Sequence, residues 1–196
     1  TLYCSPNRFI CCCRWISNMP QFKKGNIWDD FDELDYVCVT TNAITKSDGC
    51  LCMGAGIALE ASKKEPKLKV LWGKYLRENK LVNRLYGLLS YEKYIAFQTK
   101  IDWKNPSTLE IIKFSVDKLN RLALKYPDKV FGLPYPGVNN GKLTKEIVYP
   151  LLKDLPKAKP WTFAQRLENE LSALGFYISA HPLDQYKHLI ASAKLT

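Results

Sequence analysis

Two short glycine-bearing stretches, Met53-Gly-Ala-Gly-Ile-Ala58 and Pro136-Gly-Val-Asn-Asn-Gly-Lys-Leu143, constrain the fold most strongly. Each follows an apolar extended run and leads into a helical pattern, so each reads as the loop of a strand-loop-helix unit. Two such loops belong at the same end of one sheet, where ligands of open α/β sheets bind.

The rest of the chain fits that alternation. Strands are expected near Gln21–Lys24, Asp35–Thr41, Arg84–Leu89, Tyr94–Gln98 and Lys129–Leu133, and a helix from about Ile57. Ser107-Thr-Leu-Glu110 has the form of a capping box, and Ile112, Val116, Leu119, Ala123 and Tyr126 recur behind it at helical spacing. That helix should stop before Pro127, and Thr144 should cap another through Leu152. Pro156 and Pro160 read as a linker before a short helix that opens at Thr162 and stops at Gly175. The expected domains are therefore 1–19, without periodicity and unassigned, 20–155 as an α/β unit, and 156–196 as an appendage.

Composition narrows the class. With 46% apolar residues the chain can bury a sizeable core, and apolar runs such as Tyr36–Val39 and Leu122–Leu124 are far shorter than the ~20 residues of a membrane span. No membrane association is expected. The first residue is Thr1 rather than methionine, which reads as a fragment or trimmed product. Seven cysteines, an odd number without Cys-x-x-Cys spacing, read as reduced thiols of a cytoplasmic protein rather than a zinc site, so neither metal nor cofactor is expected. The net charge of +10 favours anionic partners, with weak nucleic-acid binding as a secondary expectation.

The glycines of the first loop let backbone approach a ligand while helix N-terminal amides point at it, a geometry suited to a diphosphate. The loop is not a Walker motif, since no Gly-Lys-Ser/Thr follows, and Gly-x-Gly-x-x-Gly is incomplete. Taken alone it also fits a plain strand-to-helix turn. The second glycine loop favours an elongated phosphate-bearing ligand held by convergent amides.

In order and spacing these pieces resemble the macrodomain family, especially the branch of the terminal ADP-ribose protein glycohydrolase and the phage-type ADP-ribose-1''-phosphate phosphatases. Lys23-Lys-Gly-Asn-Ile27 resembles the family's opening strand, Val39-Thr-Thr-Asn-Ala43 its second, Met53–Ala58 its Met-Gly-x-Gly-Ile-Ala loop, Phe97-Gln-Thr-Lys100 a central strand end, and Leu133–Leu143 its second glycine loop. The resemblance implies a three-layer α/β/α mixed sheet. It implies that Asn26 and Ile27 meet the adenine, that Gly54, Ala55, Gly56, Ile57 and Ala58 line the diphosphate, and that Pro136, Gly137, Val138, Asn139, Asn140, Gly141 and Lys142 wrap the distal phosphate and ribose. Two catalytic candidates follow from it: Asn42 facing the distal ribose, and Lys100 where the glycohydrolase's attacking lysine stands. The chain departs from the pattern twice. Asn26 stands where an aspartate usually accepts the adenine amino hydrogen, and Gly141 stands where the glycohydrolase carries an aspartate. Asp48 and Asp102 are the acids nearest in sequence.

The appendage resembles another family. Trp161 to Tyr186, most specifically Gly175-Phe-Tyr-Ile-Ser-Ala-His-Pro-Leu-Asp184, is similar to a connecting segment of the bacterial DNA polymerase III alpha subunit, one without that enzyme's catalytic aspartates. His181 reads as a turn residue. Macrodomains close their sheet with a strand after the helix expected at 144–152, and here Phe176–Ser179 is the one apolar run expected to replace it. The functions in view are hydrolysis of an ADP-ribose derivative (an ADP-ribosyl ester on protein or the 1''-phosphate), noncatalytic reading of ADP-ribose or ADP-ribosylated protein, and replication-associated DNA binding.

Overall fold

A computed structural model of the chain describes residues 9–13, 21–79, 81–126 and 128–153. The chain divides into two compact units, Thr1–Ala158 and Lys159–Thr196, and every described residue belongs to the first. The expected linker, the helix from Thr162 and the run Phe176–Ser179 lie outside the described residues.

The elements are β1 (Phe9–Cys13), β2 (Gln21–Lys24), β3 (Tyr36–Thr41), α1 (Gly56–Lys64), α2 (Lys67–Glu78), β4 (Leu88–Tyr91), β5 (Tyr94–Gln98), α3 (Leu109–Lys125), β6 (Phe131–Pro134) and α4 (Lys145–Lys153). They form one mixed sheet of order β2-β1-β6-β3-β5-β4. β3 is parallel to both β5 and β6, whereas β1 is antiparallel to β2 and β6 and β4 is antiparallel to β5. Four strands, β2, β6, β3 and β5, therefore run in one direction and end on one edge of the sheet.

Both faces of the central strands are covered, which is why β3 and β5 read as continuous apolar runs. Val37, Val39, Tyr94 and Ala96 pack with Ala58, Ala61, Leu68 and Trp72 of α1 and α2. Cys38, Ile95, Phe97, Phe131 and Leu133 pack on the other side with Ile112, Val116, Leu119 and Ala123 of α3 and Val148 and Leu152 of α4. The result is the expected three-layer α/β/α arrangement.

Several local expectations change. The unassigned N-terminal segment supplies β1, which sits between β2 and β6 with Cys11 opposite both Phe22 and Leu133. The sheet position left vacant by a missing closing strand is thus filled from the front of the chain. The helix begun near Ile57 ends at Lys64 and restarts at Lys67, because Glu65 precedes Pro66 and is extended at φ −134°, ψ 93°. The strand expected over Arg84–Leu89 starts only at Leu88. The preceding backbone binds a side chain instead of a neighbouring strand: Gln98 Oε1 accepts from Tyr86 N–H at 2.8 Å and Gly87 N–H at 3.0 Å, and its amide nitrogen donates to Arg84 O. The capping box does not form either. α3 begins after Thr108 without a side-chain cap, while Ser107 N–H donates to Gly141 O at 2.9 Å. Finally, β6 begins at Phe131 rather than Lys129, because Asp35 takes that approach: its carboxylate accepts from Val130 N–H at 2.7 Å and Lys129 Nζ at 2.9 Å.

Candidate functional site

A cleft of about 880 Å³ crosses the carboxyl ends of the four co-directional strands. Each strand end delivers lining residues: Gly25 to Ile27 after β2, Pro134 and Tyr135 at β6, Thr40 to Asn42 at β3, Thr99 and Lys100 after β5. From β2 to β5 is four inter-strand steps of about 4.8 Å, roughly 19 Å, so the cleft suits an elongated ligand with two distinct ends.

The two glycine loops face each other across its middle. A Cβ built on Gly54 would meet nothing within 4 Å, and Gly54, Ala55 and Gly56 are exposed. Gly56 adopts φ +56°, and a Cβ there would stand 3.4 Å from Asn140 Nδ2 on the opposite loop. Ala55 leads into α1 with no side-chain cap, so side chains do not occupy the first amides of that helix. The glycines of the second loop serve a different purpose. At Gly137, φ +76°, a Cβ would press on Ile112, Ser107 and Leu143, and at Gly141 it would come within 2.5 Å of Ser107 Oγ. These two allow the loop to lie flat on the start of α3. Ser107 Oγ is buried and has no hydrogen-bond partner among the described residues.

Lys100 is 8% exposed, and its Nζ donates to Asn105 O at 2.8 Å and Asn140 O at 2.9 Å. Burial lowers its pKa below the ordinary lysine value and the Lys142 charge adds to the effect, against an opposing pull from Asp102. The two donor bonds account for both hydrogens of a neutral amine and leave its lone pair. Asn42 is held at both ends of its amide, donating to Cys52 O at 2.8 Å and accepting from Ile44 N–H at 2.9 Å. Beneath it the fully buried Tyr86 phenol donates to Asn42 O at 2.8 Å and lies 2.6 Å from Thr41 Oγ1, and desolvation pushes its pKa far up. Asn42 thus anchors the floor of the cleft to its wall.

Of the residues expected at the site, Asn26, Ile27, Asn42, Gly54 to Ala58, Lys100 and Gly137 to Gly141 line the cleft together. Pro136 and Lys142 do not: Pro136 is buried behind the loop, and Lys142 turns outward at φ +61°. Nor do Asp48 and Asp102, which bind the backbone amides of Cys50 and Lys104 in their own turns. Lining residues that sequence reasoning missed include Glu60, Cys52, Trp103, Ser107, Tyr135 and Lys145. Trp103 stands 53% exposed at the rim, a bulky aromatic in a polar stretch that carries no periodic signal. Among the described residues no cluster of His, Cys, Asp and Glu is arranged to hold a metal, and no helix is long and apolar enough to cross a membrane.

No protein-family model and no curated protein matches the chain. Solved structures do. The Thermus aquaticus DarG macrodomain superposes with a TM-score of 0.55 at 20% identity over 68% of this chain and 87% of that one. Thermosipho africanus DarTG, in complex with ADP-ribose, superposes with a TM-score of 0.53 at 17% identity over 74% of this chain. The fold is that of a macrodomain. The chain spans 40% of the length of the DarTG chain, and identities this low speak to fold alone. Within the macrodomain fold this chain keeps the sheet but fills the strand position beside β6 from its N-terminal side.

Proposed function

We propose that the chain binds ADP-ribose in the cleft and hydrolyses an ADP-ribose derivative there, either an ADP-ribosyl ester on protein or ADP-ribose-1''-phosphate. The observation that carries the binding reading is the meeting of the two glycine loops midway along an elongated groove, Gly54 open on one side and Asn140 opposite Gly56 on the other. Amides and a helix start converge there without competing side chains, as a diphosphate requires. The base then lies at the Asn26 end and the distal ribose at the Lys100 end. That a solved macrodomain-fold relative holds ADP-ribose supports the ligand class.

Hydrolysis rests on Lys100. A buried amine with a lowered pKa carries more of the nucleophilic free form, and attack on the anomeric carbon expels the carboxylate of an ester with the bonding electron pair. The competing reading is a noncatalytic reader of ADP-ribosylated protein. It is favoured by one observation: no carboxylate lines the Lys100 end of the cleft. Nucleic-acid binding through the basic surface, or through the polymerase-like segment, is a third and separable property.

Calorimetry with ADP-ribose and with duplex DNA, each at two salt concentrations, tests the set. ADP-ribose should bind with little salt dependence and DNA weakly with strong salt dependence. Absence of ADP-ribose binding would overturn the reading. Release of free carboxylate from an ADP-ribosylated glutamate peptide then separates enzyme from reader.

A further inference from the structure

A cleft shaped for a diphosphate should avoid negative side chains, yet one carboxylate lines it. Glu60, on the second turn of α1, is the acidic side chain among the lining residues. A carboxylate facing bound phosphates costs affinity through like-charge repulsion. It becomes favourable where the ligand presents hydrogen-bond donors, because an ionised carboxylate can only accept.

Glu60 belongs to the end of the cleft where this reading places the base. Its Oε2 accepts from Trp28 Nε1 at 2.6 Å, and the backbone N–H of the same Trp28 lies 3.4 Å from Asn26 Oδ1. One residue therefore ties the carboxylate to the loop that follows β2. Lys64 stacks over the Trp28 ring at 5.1 Å and Phe31 packs against it at 5.8 Å, which hold the indole in place. Meanwhile Asn26 directs its amide oxygen back to its own turn and carries no charge. The anionic acceptor at this end is Glu60, supplied by a helix rather than by the loop.

We propose that Glu60 is the specificity-determining acceptor for the exocyclic amino group of the ligand's base, oriented for that purpose by the Trp28 indole. The inference rests on the ADP-ribose reading and adds to it a discrimination between a 6-amino purine and a 6-oxo purine. Adenine donates at that position, whereas hypoxanthine presents a carbonyl oxygen that a carboxylate repels.

The test is calorimetry of the full chain with ADP-ribose and with inosine diphosphate ribose. Wild type should prefer the adenine ligand at least tenfold. Glu60→Gln retains an acceptor for Trp28 and the packing of α1, and should weaken ADP-ribose binding about tenfold while the inosine ligand binds as before or more tightly. Trp28→Phe, which keeps an aromatic ring but removes the donor, should reduce the preference without abolishing binding. Equal affinity of wild type for both ligands overturns the assignment and leaves ADP-ribose binding standing. Parallel losses for both ligands in Glu60→Gln also overturn it, since they would report packing rather than base reading. If wild type binds neither ligand, the ADP-ribose reading fails and this inference fails with it.

Discussion

Lys100 Nζ lies 2.9 Å from the carbonyl oxygen of Asn140, a residue forty positions later in the chain. This contact joins the end of β5 to the second glycine loop, and a second bond to Asn105 O closes the triangle. The amine is thereby desolvated and positioned by the same loop that faces Gly56.

Any deacylation should therefore fail in Lys100→Ala, with kcat for an ADP-ribosylated glutamate peptide reduced at least a hundredfold, about 2.7 kcal/mol in transition-state terms. The free amine is the reactive form, so the rate should rise with pH and level off below the ordinary lysine range, following the lowered pKa. A rate unaffected by pH up to the stability limit, or full activity in Lys100→Ala, would move the chemistry to another group.

Gly54 offers a clean probe of the phosphate loop. Its backbone needs no positive φ and a side chain there meets open space, so Gly54→Val should fold with an almost unchanged Tm while filling the groove. ADP-ribose affinity should fall about a hundredfold, ~2.7 kcal/mol. Gly56→Val should lose both, since φ +56° strains a β-branched residue. Wild-type affinity in Gly54→Val would place the diphosphate elsewhere.

Ser107 and Gly141 should be thermodynamically coupled. Gly141→Ala drives a methyl to within 2.5 Å of Ser107 Oγ and should destabilise the fold by about 1–3 kcal/mol, as overpacking does. Ser107→Ala removes a buried hydroxyl that has no partner among the described residues and should leave Tm unchanged or raised. The double variant should recover part of the loss, so strictly additive melting shifts would disprove the contact.

Asp35 gives stability a pH dependence of predictable sign. Its pKa is lowered first by the Val130 amide and then by Lys129, so its contribution is present above the unfolded-state value of 3.8 and is lost as pH falls through the lower folded value. Asp35→Asn should lower Tm at neutral pH and flatten the acid limb of the Tm profile. Identical acid limbs in both proteins would rule this out.

The two ends of the chain should differ in what they support. Removing residues 1–20 deletes β1 from between β2 and β6 and should abolish folding, as judged by circular dichroism and solubility. Truncation after Leu155 leaves every described element intact and should keep ADP-ribose affinity within about threefold in the soluble monomer, less than ~1 kcal/mol. A loss beyond a hundredfold there would mean that the C-terminal segment builds part of the site.

The amino-acid sequence by itself determined the strand-loop-helix units. Periodicity is a local property, and β3, β5, α3 and the two glycine loops carry it within a few neighbouring residues. That is why Gly54 to Ala58, Lys100 and Gly137 to Gly141 were legible as one group before any coordinates. What only the tertiary structure decided are relations between distant positions. Phe9–Cys13 has no periodic signal because its identity as a strand comes from β2 and β6 on either side. Ser107 gives up its capping role because its amide bonds to Gly141, thirty-four residues on, and the 84–87 backbone leaves the ladder because the Gln98 side chain satisfies it first. Glu60 looks like any surface glutamate of a helix until Trp28 brings it to the wall of the cleft. In each case the competing partner is nonlocal, and a hydrogen bond made across the sheet edge overrides a preference that the neighbouring residues alone would have set.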